Sequence, residues 1–390
     1  MRSFINFLPL LPAAFAGPIV QSQIIPGSWI FKVHKDSFLE TVIQDVATLF
    51  PNIEPTHRYS FGDFQGFVLD GVPTTTGLME RTAGIESIEP NTQVYASALT
   101  TQSGAPWGLG RISHKQKGHT TYIYDTTAGA GTYAYVIDTG IRTTHQEFGG
   151  RAVWGANFAG DSIDTDANGH GTHVAGTIGS TTYGVAKGTN LVAVKVLDAT
   201  GSGSLSNVIA GIQWAIQNAT ASGRVGKTVF NLSLGGPTAS SATNAAVAAA
   251  VRAGLFVAVA AGNDAVDASQ SSPASEPTVC TVGATDKNDV FASFSNYGRL
   301  VDILAPGVDI KSLSNANDTA TAVLSGTSMA TPHIAGLGAY LLALEGTRSP
   351  QALCERLKVL STKNKITFGV FQWLARATTN NTLAYNGNGA

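Results

Sequence analysis

From about residue 100 onward, the sequence alternates between short apolar segments and longer segments with helical periodicity. TYAYVIDTG, LVAVKVLD and LFVAVAAGN lack the regular polar alternation of a half-exposed strand, so they are typical of strands buried on both faces. Helical segments such as SLSNVIAGIQWAIQNA and SATNAAVAAAVRAG follow in the same region. This alternation predicts an α/β fold with a doubly wound, mostly parallel sheet flanked by helices.

Functional side chains in such a sheet are expected beyond the carboxyl ends of the strands. Asp138 and Asn263 both stand at the ends of predicted strands. Ser328 stands at the start of another element, the apolar helical segment SMATPHIAGLGAYLLAL. These three residues are therefore candidates for a functional site.

The first residues have the pattern of a secretory signal peptide. Arg2 supplies the positive start, an apolar run follows, and Ala14-Phe15-Ala16 resembles a cleavage site. We predict a signal peptide over residues 1–16 and an extracellular protein. The run is too short to span a bilayer, and no second long uncharged apolar run follows, so no membrane association is expected.

A separate small domain is predicted between the signal peptide and the α/β region, over residues 17–99. SWIFKVH alternates as a strand does, and Ser37 with Glu40 fits a capping box that opens a helix. The helix carries an apolar stripe formed by Leu39, Val42, Ile43, Val46 and Phe50. Further strand-like segments and a short helix near residues 76–83 complete a βαββαβ pattern, which predicts a ferredoxin-like α+β domain.

The low net charge argues against two classes of partner. The 390 residues carry a formal net charge of −2 and contain no basic block, so the chain lacks the electrostatic footprint expected for binding nucleic acid or an anionic membrane surface.

The chain has two cysteines, Cys280 and Cys354. In the oxidising secretory route a single pair favours one disulfide, the alternative being two buried free thiols. Two cysteines at this spacing cannot form a cysteine-based zinc site.

Three short motifs suggest nucleophilic catalysis. VIDTGI contains Asp138, NGHGTHVAGT contains His170 and His173, and SGTSMATPHIAG contains Ser328. A serine at a helix N-terminus has backbone N–H groups nearby for an oxyanion, but it needs a histidine base to attack. The imidazole in turn needs a buried carboxylate to hold its tautomer. One of the two histidines could act with Asp138 and Ser328.

In these motifs and their order, residues 100–390 resemble the subtilisin-type serine proteases, most closely the proteinase K branch. The segments APWGLGRIS, NLSLGG and AAGND also match. The resemblance implies that Asp138 orients the base, His170 is the general base and Ser328 is the nucleophile. It assigns Asn263 to the oxyanion hole.

The resemblance also implies a substrate-binding cleft for protein and peptide substrates. Two segments are expected to pair with an extended substrate, as its walls: Gly201, Ser202 and Gly203 on one side, and Ser233, Leu234 and Gly235 on the other. Neither segment contains an acidic residue, so broad cleavage after apolar or aromatic residues is expected.

A structural calcium ion is a further implication, held by the backbone carbonyls of Pro277 and Val279 and the carboxylate of Asp302; an ordinary loop aspartate is the alternative. No cofactor is expected for the chemistry itself. The resemblance also supports the disulfide between the two cysteines.

The N-terminal domain resembles the inhibitory propeptide of these proteases. It is expected to block the cleft with QVYASALT and to be cut by the enzyme itself between Ala96 and Gln102. The mature enzyme, residues 100–390, is expected to be a monomer. Sequons at Asn218, Asn317 and Asn380 are candidate glycosylation sites.

Two other functions are weighed against this one. A zinc hydrolase could use His170 and His173, but the HExxH spacing and a third ligand are missing. A catalytically dead binding protein on the same fold is disfavoured because the four catalytic positions are filled.

Overall fold

The structure, a computed structural model, describes residues 23–72, 82–93, 99–370 and 372–389. Its chain contacts separate a unit ending at Ala96 from a unit that begins at Ser97. The predicted signal peptide, most of the helix expected near residues 76–83 and most of QVYASALT lie outside the described residues.

Among its described residues, the N-terminal unit contains one helix and one antiparallel sheet. Its elements are β1 (Gln23–Val33), α1 (Leu39–Leu49), β2 (His57–Phe61), β3 (Phe64–Leu69) and β4 (Ile85–Gln93). The sheet order β2-β3-β1-β4 is that of a ferredoxin-like fold.

The apolar stripe predicted for α1 is confirmed, because Val42, Ile43 and Val46 are buried in one core with Phe31 and Phe67. The capping box is wrong. The helix begins one residue later than the box requires, with Phe38 at the N-cap and no side chain bonded there.

The larger unit contains a nine-stranded sheet and seven helices among the described residues. Its strands are β5 (Leu99–Ser103), β6 (Thr121–Asp125), β7 (Tyr133–Asp138), β8 (Ala152–Asn157), β9 (Asn190–Lys195), β10 (Thr228–Leu232), β11 (Phe256–Ala260), β12 (Cys280–Thr285), β13 (Ile303–Pro306), β14 (Ile310–Leu313), β15 (Thr321–Leu324), β16 (Thr362–Lys363) and β17 (Thr382–Leu383). Its helices are α2 (Trp107–Ile112), α3 (His170–Gly179), α4 (Leu205–Ala221), α5 (Ser241–Arg252), α6 (Thr327–Glu345), α7 (Pro350–Leu360) and α8 (Trp373–Thr378).

The order of the large sheet is β16-β17-β13-β12-β11-β10-β7-β9-β8, and every neighbouring pair is parallel except β16–β17. The predicted doubly wound, mostly parallel sheet is therefore confirmed. Two antiparallel ribbons, β5–β6 and β14–β15, lie outside it.

Helices cover both faces of this sheet, which explains why its central strands are mostly apolar. In β7, Tyr135 and Ile137 point into a core shared with α4 and α5. Ala134 and Val136 point into a second core shared with α3 and α6. Successive side chains of a strand alternate between faces, so a strand with a core on each side needs apolar residues at every position.

Two further features bear on the predictions. Cys280 at the start of β12 and Cys354 in α7 form a disulfide with a Cα–Cα distance of 5.8 Å, so the predicted pairing is confirmed. Among the helices that the structure describes, none combines the length and apolarity needed to cross a bilayer.

Candidate active site

The candidate residues meet at one edge of the large sheet. β7, β10 and β11 are consecutive neighbours in the sheet, and their carboxyl ends lead to Asp138, Ser233 and Asn263 respectively. His170, Asn263 and Ser328 line a cleft of about 690 Å³ at this edge. The expectation that functional side chains cluster beyond the strand ends therefore agrees with the structure.

Asp138 and His170 form a hydrogen-bonded pair. His170 Nδ1 donates to Asp138 Oδ1 over 2.8 Å, and Asp138 is fully buried. The backbone N–H of Thr139 donates to the same oxygen over 2.7 Å. Because Nδ1 is held by the carboxylate, Nε2 on the other side of the ring is the nitrogen left to accept a proton.

The surroundings of His170 favour its protonated form. Burial alone would lower its pKa, but the charge of Asp138, the hydrogen bond to Asp138 and the more distant charge of Asp166 together raise the pKa above its usual value. His170 can therefore take up a proton readily and hold it beside the buried carboxylate.

Glycines allow the chain to turn so that His170 reaches Asp138. Gly169 has a φ of 106°, in the left-handed region that favours glycine. A Cβ at Gly171 would lie 2.1 Å from the carbonyl oxygen of Gly140, so the start of α3 packs directly on the turn after β7. Larger residues at these positions would push His170 away from its partner.

Asp166 holds this turn in place, and the sequence analysis missed it. One of its oxygens accepts hydrogen bonds from Thr139 Oγ1 and from the backbone N–H groups of Asn168 and Gly169. The other accepts from the backbone and the hydroxyl of Thr172. The sequence did contain a signal for this turn. Asp166 lies two residues before Asn168 and three before Gly169, and that spacing is typical of an Asx turn.

His173 has a different role from His170. It is fully buried, and its Nε2 donates to the carbonyl oxygen of Ile310 over 2.9 Å. Burial lowers its pKa to about 4, so it is neutral near pH 7. Among the residues that the structure describes, no group of three potential metal ligands contains either histidine. The geometry gives the zinc-hydrolase alternative no support.

Ser328 is held against Ser233. The Ser328 hydroxyl donates to the Ser233 carbonyl over 3.0 Å, and the Ser233 hydroxyl donates to the Ser328 carbonyl over 2.8 Å. No hydrogen bond joins Ser328 to His170 in the described structure. Catalytic hydrogen bonds are often long or unmade before substrate binds, and a rotation of the serine hydroxyl away from Ser233 is needed to make this one.

Asn263 is oriented by the residue before the serine. Its Oδ1 accepts hydrogen bonds from the backbone N–H of Thr327, over 2.8 Å, and from the Thr327 hydroxyl, over 3.0 Å. Since these donors hold the oxygen, the amide –NH₂ is free to donate to a group in the cleft. This is the orientation that an oxyanion-hole asparagine requires.

Both predicted substrate-binding segments line the cleft. The residues involved are Gly201, Ser202, Gly203, Ser233, Leu234 and Gly235. An adjoining cavity of about 260 Å³ also reaches Ser328, and small residues such as Gly236, Ala260 and Ala274 line it. A cavity with such small wall residues has room for a large side chain.

The same small cavity contains an acidic residue that the sequence analysis overlooked. Asp264, next to Asn263, lies on its wall and is exposed. The two predicted wall segments are indeed free of acidic residues, but the pocket also includes residues from the loop after β11. A carboxylate here can interact with a basic substrate side chain.

The residues around Asp302 do not fit a calcium site well. One carboxylate oxygen of Asp302 accepts a hydrogen bond from the Thr281 backbone N–H over 2.9 Å. The other lies 3.5 Å from the ammonium group of Lys358. A calcium ion needs several unprotonated oxygen ligands and is repelled by a neighbouring cation. Calcium binding by Pro277, Val279 and Asp302 stays a prediction that this arrangement disfavours.

The sequons differ in their surroundings. Asn218 lies within α4, half-buried, and its side-chain oxygen accepts from the Tyr135 hydroxyl over 2.6 Å. Asn317 and Asn380 are exposed and lie outside helices and strands. The two exposed asparagines are the better candidates for glycosylation.

Known proteins resemble this chain over the whole region that bears the site. A model of the subtilase family matches residues 129–385. Proteinase T from Parengyodontium album is 60% identical over 270 residues, covering 69% of this chain and 90% of that protein. Subtilisin-like protease 2 from Pseudogymnoascus destructans is 45% identical over 400 residues, covering 98% of this chain and 97% of that protein.

A solved structure also resembles this chain. The crystal structure of a cold adapted subtilisin-like serine proteinase is 44% identical to this chain, with a TM-score of 0.67, and the match covers 73% of this chain and 99% of that chain. Asp138, His170, Asn263 and Ser328 all lie within the residues that the family model matches.

Proposed function

Because this chain belongs to the subtilase family of serine proteases, we propose that it is a secreted serine endopeptidase of broad specificity, made as a zymogen that processes itself. The observation that carries the proposal is the hydrogen bond between His170 and buried Asp138 in a cleft that also holds Ser328 and Asn263.

The reaction begins when the Ser328 hydroxyl turns from the Ser233 carbonyl to His170. Nε2 of His170 removes the proton as Ser328 Oγ attacks the carbonyl carbon of the scissile peptide bond. The imidazolium that forms is stabilised by Asp138. The raised pKa of His170 supports this role, because it shows that the His170–Asp138 pair holds the transferred proton well.

The negative oxygen of the tetrahedral intermediate is stabilised by two donors. The Asn263 amide group supplies one, and the Ser328 backbone N–H at the start of α6 supplies the other. When the intermediate collapses, the C–N bond breaks and His170 gives its proton to the leaving amine. Water then attacks the acyl-enzyme in the same way, with His170 again as the base, and releases the acid and Ser328.

Substrates are proteins and peptides bound in extended form between the two wall segments, with backbone hydrogen bonds to each. The cavity of small residues beside Ser328 accepts the side chain before the scissile bond. Its glycine and alanine walls favour large apolar or aromatic side chains. Asp264 adds a weaker tolerance for basic ones, which suits broad specificity.

The N-terminal unit acts in this proposal as an intramolecular inhibitor that the enzyme cuts off between Ala96 and Gln102. The compact ferredoxin-like fold of residues up to Gln93 supports an independently folded prosegment. The mature enzyme works as an extracellular monomer. Asn317 and Asn380 are its candidate glycosylation sites.

The test compares the wild-type chain with Ser328→Ala. The wild type should mature to about 30 kDa, as the loss of residues 1–99 requires, and should hydrolyse casein. The alanine variant should stay unprocessed and inactive. Ser325→Ala is a matched control, because the Ser325 hydroxyl contacts the Asp309 backbone outside the cleft and should leave both processing and activity intact.

Equal activity in wild type and Ser328→Ala would refute the assignment of the nucleophile. The zinc-hydrolase alternative makes the opposite forecast for inhibitors. It requires activity that survives a serine-directed fluorophosphonate and disappears in a zinc chelator.

A further inference from the structure

Asp302 lies beside the disulfide, which joins β12 to α7. Cys280 at the start of β12 is bonded to Cys354 in α7, and a carboxylate oxygen of Asp302 lies within 4.8 Å of both sulfur atoms. The backbone N–H groups of Asp302 and Thr281 are also engaged, the first with the Thr281 carbonyl and the second with the Asp302 side chain. Asp302 is therefore fixed against the end of α7.

Lys358 reaches Asp302 from that helix. It lies four residues after Cys354, and residues four apart lie on the same face of a helix. The disulfide thus brings the side of α7 that carries Lys358 towards Asp302, and the ammonium nitrogen lies 3.5 Å from Asp302 Oδ1. Both side chains are about three-quarters buried, with 23% and 24% of their surface exposed.

The other charged groups near Asp302 favour a lysine ammonium group over a metal ion as its partner. Glu355, one helical turn back, accepts from Lys358 over 2.5 Å and leaves most of its side chain in solvent. Lys363 donates to the Lys358 carbonyl and adds a second positive charge nearby. A divalent ion beside Asp302 would have to approach the ammonium group of Lys358, whereas Lys363 makes no contact with Asp302.

We propose that the ammonium group of Lys358 takes the place of calcium beside Asp302, so that this position binds no divalent cation. The lysine neutralises the largely buried carboxylate that a calcium ion would otherwise neutralise. The contact between Asp302 and α7 that would depend on a bound metal is then built into the chain. The stability of this region is independent of calcium concentration.

The experiment uses the full-length chain with Ser328→Ala, which prevents self-digestion. Calcium binding is counted by equilibrium dialysis, and Tm is measured in millimolar calcium and in a calcium chelator. Added to this background are Asp302→Asn, Lys358→Met and the two together. Lys363→Met is the matched control, since it removes a neighbouring lysine that does not contact Asp302.

The expected result is a site that appears only when Lys358 is removed. Asp302→Asn should leave the number of bound calcium ions unchanged. Lys358→Met should bind one more ion and gain about 3 °C or more in Tm when calcium is added, as ligand binding to the folded state does. The double variant should lose that gain, and Lys363→Met should behave like the parent.

Two results would overturn the proposal. One is a calcium ion bound by the parent chain and lost in Asp302→Asn, which means that the lysine moves aside for the metal. The other is a folded Lys358→Met variant that gains no calcium ion. Should that variant aggregate, Lys358→Ala opens the same position and is judged by the same two measurements.

Discussion

The two halves of the catalytic cleft differ in how completely their side chains are fixed. On one side, His170 is bonded to Asp138, and the turn that carries it is held by five hydrogen bonds to Asp166. On the other side, the backbone of Ser328 is fixed but its hydroxyl bonds to Ser233 instead of the base. In the proposed mechanism, the first side, here called the base half, is assembled in advance. The second side, the nucleophile half, completes its contact with His170 only during the reaction.

The difference indicates where mutations should act. Changes in the base half should alter a proton-transfer step that depends on fixed geometry, and those near Asp138 should be the most severe. Changes in the nucleophile half should alter stabilisation of the oxyanion or the fit of substrate, because the hydroxyl itself retains freedom to turn.

The largest effect is expected for Asp138→Asn. The amide cannot hold His170 in the tautomer that leaves Nε2 free to accept a proton, so kcat should fall by about 10⁴-fold. The measurement is kcat on a peptide substrate, with thermal unfolding as a check that the variant is folded. A fall in kcat of less than tenfold in a folded variant would mean that proton transfer does not depend on the contact between Asp138 and His170.

Asn263→Ala should have the next largest effect. It removes one oxyanion donor while the Ser328 backbone N–H remains, so kcat should fall by about 10²–10³-fold with little change in KM. Steady-state kinetics separate the two constants. A rise in KM at unchanged kcat would instead make Asn263 a substrate-binding residue.

The pH dependence tests the electrostatics of the base half. The pKa of His170 is raised, and the histidine must be neutral to accept the serine proton. The rate should therefore fall as pH is lowered through a midpoint above the ordinary value of about 6.5. Full activity at pH values well below that midpoint would contradict His170 as the base.

Asp166→Asn should move this midpoint to lower pH, because it removes one of the charges that raise the pKa. It also replaces an acceptor oxygen by a donor that faces other donors, so Tm should fall as well. Asp164→Asn is the matched control, since Asp164 lies exposed in the same connection after β8 and does not act on His170. An unshifted midpoint for Asp166→Asn would leave Asp166 with a purely structural role.

The smallest effect is expected for Asp264→Asn in the nucleophile half. The side chain is exposed, so its attraction for a basic substrate is screened by solvent. The ratio of kcat/KM for a basic over an aromatic side chain before the scissile bond should fall by about two- to fivefold. An unchanged ratio would show that the carboxylate does not reach that side chain.

The sequence predicted the elements of the site better than the contacts between them. Asp138 and Asn263 were found at strand ends because continuous apolar runs mark buried strands and polar residues mark where they stop. The disulfide followed from a single pair of cysteines, which allows one connection only. These inferences depend on local patterns.

The contacts that were missed join residues far apart in the chain. Ser233 and Ser328 are 95 residues apart, and Asp302 and Lys358 are 56 apart. No local pattern fixes which side chains meet when β10 packs beside α6 or when α7 approaches Asp302. The capping box failed for a related reason, since a shift of one residue in the start of α1 leaves Ser37 outside the cap.

Ser328 opens a helix that is buried along nearly its whole length between the sheet and α3. Ser328 therefore cannot leave its place by local fraying without exposing the core formed by α3, α6 and the sheet. Amide protons along α6 should exchange only when the whole unit unfolds, while those of the exposed loops exchange far sooner. Heat inactivation and loss of tertiary structure should then follow one time course, so the working lifetime of the enzyme is set by its global unfolding rate.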